Sequence, residues 1–555
     1  MNAHLLTPQQ RCDLELLLCE GFRPLTGFMG AEDYRSTLQQ GRLRGGQLWP
    51  IPITLDLPER LAGQLSSGSE LQLLRADRSP LAVLRVEEVF SADLQLEAQL
   101  IFGSADPEHP GVAGLLARNP WYVGGQVRPW SEATYEAARL ADFAPEYRTP
   151  SELRPVLAPS PQVVAFQTRN PLHRAHLALI EAAGAAAGPE AVILLHPATG
   201  VTKPGDLAAP LRMRAYRAAL RSREDLPVVL AALPLAMRMA GPKEALWHAL
   251  IRKNFGATHF IVGRAHADPG RPEGGTWYPP FAAQELLRDR ADELGIVPVL
   301  MPEFAYAPHQ QRYVAVNSGA GKQSGKQQVT WSISGTELRQ RLRAGQEIPG
   351  WFSPKEVIDV LKEAFPPAGQ GGLVIWITGL PASGKSTLAN ALARRLEVQE
   401  QRAVSVLDSD VLREQLSSEL GFSRADRERN VRRLGLVSSL IDKHRGIAIV
   451  AAISPYRQSR SEVRSATELS GGRFFEVYLA TPLEVCRSRD PKGLYRRAAS
   501  GELRGLTGMD DPYEIPQRPE LSIGAAGESL AQAVERITSA LAREDLIREG
   551  PPPLP

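Results

Sequence analysis

The stretch AFQTRNPLHRAHLALI, which begins at Ala165, sets Arg169, His173, Arg174 and His176 between apolar flanks, with the two histidines three residues apart. Its pattern reads as strand, turn and helix. Pro171 falls in the turn, and the spacing puts both imidazoles on one face of the first helical turn. Two imidazoles and Arg169 beside the N–H groups freed at a helix start would hold a polyanion. A zinc site would need a third ligand at a suitable spacing, and none lies nearby. The plainer alternative is a pair of surface-turn histidines with local partners.

A second stretch is more specific. GLPASGKS, from Gly379 through Leu380, Pro381, Ala382, Ser383, Gly384 and Lys385 to Ser386, follows an apolar run and precedes a helical pattern. Glycines at that spacing let backbone N–H groups wrap phosphate oxygens, the lysine reaches the β- and γ-phosphates, and the serine hydroxyl can ligate Mg²⁺. ATP or GTP is the expected ligand. Downstream, Asp408 and Asp410 end the apolar run of VLDSDVLREQL. Carboxylates there can hold Mg²⁺-bound water or accept a proton from an attacking hydroxyl. Either one alone reads equally well as a helix N-cap. The basic run RADRERNVRRLG is either a solvated helix face or a site for an anionic acceptor.

The elements that must carry these residues follow from periodicity. Before Pro155, strand-like runs such as LWPIPITLDL, ELQLLRA and SPLAVLRVEEVF alternate with Gly, Pro and Ser, which predicts a largely β domain behind a short amphipathic helix. From SPQVVAFQT onward, apolar runs (AVILLHP, LPVVLAALP, ATHFIVGRA, GIVPVLMPEF) alternate with helical patterns, the rhythm of a parallel α/β sheet. A helical stretch from SGTELRQRL to KEAF comes next, then a Pro/Gly break at PPAGQGG, then a second α/β unit with strands at AVSVLD, IAIVAAIS and FFEVYLA. The expected division is 1–155, 156–330, 331–365, a linker at 366–372, and 373–545, with a disordered PPPLP tail.

Composition sets bounds on partners. With 555 residues, several domains are expected. Lys+Arg 64 against Asp+Glu 62 provides no overall field for nucleic acid. Three cysteines without a C-x-x-C spacing suggest neither a disulfide framework nor structural zinc, which fits a cytoplasmic setting. No secretion signal or membrane-spanning run is visible.

Two resemblances extend this reading. GLPASGKST, ERNVRRLG, AAISPYRQSR, RDPKGLYRRA and TGMDDPYEIP, in that order, resemble adenylylsulfate kinase from Leu373 to about Ile523. The resemblance implies that Arg413, Arg427, Asn430 and Lys492 hold adenylylsulfate and that Ser454 sits where the family has a phosphoserine. It also marks Leu506, before TG, as the place of an aromatic substrate contact, and Ser409 and Val411 as departures from Asp-Gly-Asp-Asn. FRPLTGFMG, HPATGVTKPGD, MRMAGPKEALWHALIRKNFG, FIVGRAHADPG and ISGTELRQRL, together with the opening stretch, resemble sulfate adenylyltransferase (ATP sulfurylase) over nearly all of 1–365.

That second resemblance implies a PUA-like N-terminal domain, a Rossmann-like nucleotidyltransferase domain, a small helical segment, and behind them the P-loop kinase domain. It places sulfate on Gln167 and Arg169, makes Thr168, Arg169 and Asn170 an active-site trio, and sets His173 and His176 against the β- and γ-phosphates. Gly263, Arg264, Ala265 and His266 would contact adenosine and Ala267 sulfate; Ala175 and Ala265 stand where the family usually has Gly and Asp. The implied enzyme is bifunctional and uses Mg²⁺ with ATP: ATP and sulfate give adenylylsulfate and pyrophosphate, then a second ATP phosphorylates the 3′-hydroxyl. A homo-oligomer is implied as well. Two alternatives stay open: a regulatory, non-catalytic second half, and a sulfurylase running toward ATP.

Overall fold

The computed structural model describes residues 2–203, 206–271, 274–316, 329–367, 371–400, 402–469, 472–524 and 528–548. Residues 368–370 of the expected linker and the PPPLP tail lie outside them. The chain divides into two compact units, Met1–Ser332 with Pro349–Val357, and Ile333–Ile348 with Ile358–Pro555.

The first unit begins with a six-stranded sheet. Its central antiparallel run joins Glu70–Leu74, Pro80–Ser91 and Trp121–Pro129, and these strands take up the alternating ELQLLRA and SPLAVLRVEEVF patterns. Helices Pro8–Leu18 and Ala31–Gln40 interleave with the short strands. The helix expected near the N-terminus is there, opened by a Thr7–Gln10 capping box with Pro8 at its start, but it is buried on every side from Gln10 to Leu17 and so is not amphipathic.

Next comes a five-stranded parallel sheet in the order Val297–Leu300, His259–Val262, Val163–Phe166, Val192–Leu195, Val228–Leu230. These runs are Val/Ile/Leu-rich, and Val163–Phe166 is buried along its whole length, as a strand covered on both faces must be. Chain order reverses between Val163–Phe166 and His259–Val262. This is the Rossmann arrangement, and ligands of such sheets bind at the carboxyl ends of the strands beside that reversal. Gln167 follows one of the two strands and Gly263 the other.

The second unit is also a parallel sheet, ordered Val404–Asp408, Ile447–Ala451, Leu373–Gly379, Phe474–Leu479, Leu521–Ile523. Four of these strands are the apolar runs marked in the sequence; the three-residue Leu521–Ile523 was not marked. Ile375, Ile377 and Ile449 are fully buried against Leu388, Leu392 and Leu396 of the helix Lys385–Gln399. Each such side chain contributes about 1.5–3 kcal/mol by leaving water. Truncation to Ala would cost roughly 2–5 kcal/mol and loosen the strand from which the phosphate loop springs.

Candidate active sites

In the first unit, the loop after Val163–Phe166 is fixed from several sides. Thr168 Oγ1 donates to Asn170 O at 3.2 Å and accepts from Asn170 N at 3.1 Å, closing a tight turn. Buried Arg212 donates to Arg169 O at 3.1 Å and Ala198 O at 3.0 Å, so a guanidinium that sequence reasoning did not single out holds this turn. Arg169 Nη1 reaches both oxygens of Asp206, at 3.0 and 2.7 Å, while Nη2 donates to Asp268 O at 3.2 Å. Gln167 is buried, and Arg252 donates to its Oε1.

His173 caps the helix Arg174–Ala187. Its backbone N–H donates to His176 Nδ1 at 3.1 Å, so the neutral His176 carries its proton on Nε2 and presents a donor there. His173 Nδ1 lies 3.1 Å from Ser353 Oγ, and its ring packs 4.4 Å from that of Phe352. Arg174 donates from its backbone N to Phe352 O at 3.1 Å and from Nε to Gly350 O at 2.8 Å. The segment 349–357 thus anchors the histidine pair, a contact between positions too distant in sequence for spacing to disclose. Burial lowers His173 to about 3 and His176 to about 4, so both rings are neutral near pH 7 in the ligand-free protein. Positive charge here comes from arginine; the histidines offer N–H groups.

The loop Gly263–Ala267 closes the other side of the reversal. Ala265 and Ala267 hold left-handed backbone, φ 50° and 57°, a strained choice for alanine that surrounding bonds must enforce. Ala265 N donates to Pro280 O at 2.7 Å. Asp268 then accepts from Gly270 N at 2.6 Å and from Trp277 N and Tyr278 N at 2.9 Å each, tying down the next turn. His266 Nε2 lies 3.1 Å from His248 Nδ1. Arg264 is exposed beside Glu303 at 3.4 Å.

In the second unit, Gly384 adopts φ 103°, a conformation that glycine takes readily, and so starts the helix Lys385–Gln399 directly under the phosphate loop. Lys385 Nζ donates to Gly379 O at 3.1 Å and Leu380 O at 2.7 Å, and burial lowers its ammonium to about 8. A cavity of about 1620 Å³ opens over the loop and is lined by Pro381–Ser386, Asp408, Asp410, Arg413, Arg427, Asn430, Ser454 and Lys492. Leu506 does not line it; that side chain is buried with Cys486 and Tyr495 in a small apolar cluster.

Asp408 Oδ1 accepts from Asp410 N at 2.9 Å, so this carboxylate is the N-cap of the helix Ser409–Leu416 and faces the cavity at once. Asp410 pairs with Lys492 at 2.7 Å. Asn430 Nδ2 donates to Ser409 Oγ at 3.1 Å. Arg427 donates to Thr507 Oγ1 and Gly505 O, and Arg413 to Leu420 O at 3.0 Å and to Gly421 O. Ser454 is 3% exposed with φ 39°. Its Oγ accepts from Trp376 Nε1 at 3.0 Å and donates to Thr378 Oγ1 at 3.0 Å.

Comparison with known proteins identifies the domains that carry these residues. The family models for the PUA-like domain, ATP-sulfurylase and adenylylsulphate kinase match residues 1–132, 146–364 and 371–524. A sulfate adenylyltransferase of Chaetomium globosum is 44% identical over 99% of this chain and 94% of its own length. One of Neurospora crassa is 42% identical over 99% and 94%. Among solved structures, the hexameric APS kinase from Thiobacillus denitrificans superposes with a TM-score of 0.67 at 31% identity, covering 99% of this chain and 94% of that one. With a nucleotide-binding reversal in the first unit and an intact phosphate loop in the second, the chain belongs to the sulfate adenylyltransferase family and is an enzyme of sulfate activation, joining an ATP sulfurylase to an adenylylsulfate kinase.

Proposed function

We propose that the two reactions run on the residues named above, with domain boundaries at 1–155, 156–330, 331–365 and 373–545. In the sulfurylase, Gln167 and Arg169 hold sulfate, the Gly263–His266 loop holds adenosine, and the backbone at Ala267 faces sulfate. A sulfate oxygen attacks the α-phosphorus in line, and the bond to the β-phosphate oxygen breaks. Sulfate is already deprotonated, so no general base is needed, and catalysis is positioning and charge stabilisation. His176 Nε2–H and His173 donate to the departing pyrophosphate as neutral rings. The turn Thr168–Asn170 keeps Arg169 in register. The observation that carries this reading is that Gln167–Asn170 and Gly263–Ala267 flank the chain reversal of the parallel sheet.

In the kinase, Lys385 and the loop N–H groups hold the phosphates of ATP, while Arg413, Arg427, Asn430 and Lys492 hold adenylylsulfate. Asp408 or Asp410 accepts the proton of the 3′-hydroxyl as its oxygen attacks the γ-phosphorus, and the bond from that phosphorus to the β-phosphate oxygen breaks, releasing ADP. Ser386 is exposed at the helix start and Asp408 lines the same cavity, a hard-oxygen donor set that fits Mg²⁺ brought in with ATP. When bound, that ion neutralises charge on the β- and γ-phosphates. Transfer is direct, because Ser454 Oγ is buried and already engaged by Trp376 and Thr378.

A cytoplasmic homo-oligomer accords with the free cysteines, the hexameric relative, and the absence among the described residues of any helix long and apolar enough to cross a membrane. The test is incubation with ATP, Mg²⁺, labelled sulfate and pyrophosphatase, followed by nucleotide separation. Label should pass through adenylylsulfate into 3′-phosphoadenylylsulfate. Label that stops at adenylylsulfate under excess ATP would leave the second unit a regulatory module.

A further inference from the structure

The helix Gly241–Asn254 carries Glu244, His248 and Arg252 four residues apart, hence one above another on a single face, and each is 0% exposed. Polar residues at that spacing normally face water. Here they run beneath both sides of the sulfurylase site. Glu244 accepts from Arg238 N at 2.9 Å and Ala240 N at 2.8 Å, and lies 3.2 Å from His248 Nε2, so its carboxylate is satisfied.

Arg252 is different. Its Nη2 donates to Gln167 Oε1 and, at 3.0 Å, to His196 O, yet Nε and Nη1 have no partner among the described residues. The side chains of Gln167 and Arg252 constrain each other by simple chemistry. A guanidinium has only donors, so the amide atom facing it must be the oxygen, and the Nε2 hydrogens must point away. The contact found for Nε2 is Met237 Sδ at 3.7 Å, a weak acceptor. The carboxamide is therefore held by its oxygen, with its donor end unspent. A buried charge with orphan N–H groups is a poor choice for stability alone, since an apolar side chain of similar volume is usually no worse there.

We propose that Arg252 is a positioning residue of the sulfurylase: it fixes the orientation of Gln167 so that Nε2 donates to the sulfate oxyanion. Without it, the carboxamide is free to turn and can present its oxygen to the anion, which repels. This rests on the reading of Gln167 as a sulfate ligand.

The test measures sulfate and ATP KM, kcat for pyrophosphate release, and thermal melting on the full-length protein carrying Arg252→Met, Gln167→Ala, or both. Arg252→Met should raise the sulfate KM about 5- to 10-fold, the worth of one oriented hydrogen bond, with ATP KM little changed; the His196 carbonyl it leaves unpaired lowers the melting temperature without moving the ATP KM. In the Gln167→Ala background the same substitution should add less than about a further twofold, because its target is gone. Additive effects in the double variant, or a lowered melting temperature with both KM values raised together, would overturn the proposal. Arg252→Lys, which keeps the charge but loses the planar fork, should show an intermediate sulfate KM and the same loss of effect in the Gln167→Ala background; this variant carries the test should Met not be tolerated. An unmoved sulfate KM in Gln167→Ala alone would instead overturn the sulfate assignment of Gln167, a failure visible before Arg252 is altered.

Discussion

Ser454→Ala separates a direct kinase from one that passes phosphate through the enzyme. The Ser454 hydroxyl takes the Trp376 indole N–H at 3.0 Å and gives its own hydrogen to Thr378 Oγ1 at 3.0 Å. Thr378 keeps its bond to Ile453 O at 2.7 Å and its contact with Tyr513 at 2.9 Å when Ser454 is truncated. Trp376 does not, and a buried N–H left without an acceptor costs about 1–3 kcal/mol. In a unit of this size each kcal/mol lowers the melting temperature by roughly 2–4 °C. Stability should therefore fall, while the 3′-phosphorylation rate, assayed well below the melt, should stay within about threefold, under ~0.7 kcal/mol in the barrier. The control is Asp408→Asn. Asparagine preserves the N-cap that Asp408 provides to Ser409–Leu416, so the helix start survives while the proton acceptor is lost. Its rate should drop by about 10²–10⁴. Abolished kinase turnover in Ser454→Ala, together with labelled phosphate trapped on Ser454 of the parent when acceptor is withheld, would refute the reasoning and make Ser454 the nucleophile.

Lys385→Ala should abolish 3′-phosphorylation and leave adenylylsulfate synthesis near the parental rate; equal loss of both, or of neither, contradicts the assignment. His176→Ala removes the Nε2–H donor fixed by the His173 backbone, and pyrophosphate release should slow by about 10² with a smaller effect on ATP binding. Since burial lowers Lys385 from 10.5 to about 8, the empty site is roughly half protonated at pH 8, and polyphosphate binding, which favours the charged form, should take up about half a proton there and almost none at pH 6.5. Calorimetry in two buffers of different ionisation enthalpy reads that difference directly. Ser409→Gly frees Asn430 Nδ2 from the Ser409 hydroxyl and should lower the KM for adenylylsulfate about 2- to 5-fold.

The phosphate loop and the strand–turn–helix at Ala165 are legible in sequence because their chemistry is local: glycines, a lysine and a proline at fixed offsets decide the backbone path. Strand positions in both parallel sheets were legible for the same reason, as short Val/Ile/Leu runs, except for the three-residue Leu521–Ile523. Neighbour relations were not. That Val163–Phe166 lies beside His259–Val262, which makes the crevice, depends on pairing across almost a hundred residues. The face Glu244–His248–Arg252 stayed hidden because the other sides of the same helix, with Leu246, Trp247 and Ala249, are buried too. With no amphipathic contrast the polar period carries no signal. Ser353 and Arg212 act through folds of the chain that spacing cannot express. The N-terminal region read as largely β, and its sheet is there. Most of its helices went unread because short strands and short helices share the same Gly/Pro punctuation.

The ligand-free protein keeps its cations engaged by its own acceptors, and the kind of acceptor differs from one cation to the next. Lys385 rests on the neutral carbonyls of Gly379 and Leu380, and Arg413 on those of Leu420 and Gly421. Exchanging a neutral carbonyl for a phosphate oxygen replaces an ordinary bond by a charge-assisted one, so it favours binding. Arg169 instead holds the nearly buried carboxylate of Asp206 by two bonds. Sulfate, a weakly basic dianion, gains little by competing with a carboxylate in the ground state. Negative charge on the bridging and departing oxygens grows as pyrophosphate leaves, and only there does a shared Arg169 gain strength, which is the condition for lowering a barrier instead of merely binding substrate. The division suits the order of reactions. Forming the sulfate–phosphate anhydride is uphill and leaves adenylylsulfate scarce, so the first site has reason to bind sulfate loosely and spend its field on the transition state. The second site must capture a scarce product; Arg427 shares the Asp511 carboxylate at 3.3 Å and Lys492 pairs with Asp410, so Arg413, parked on neutral carbonyls, is the one that moves to an anion at least cost.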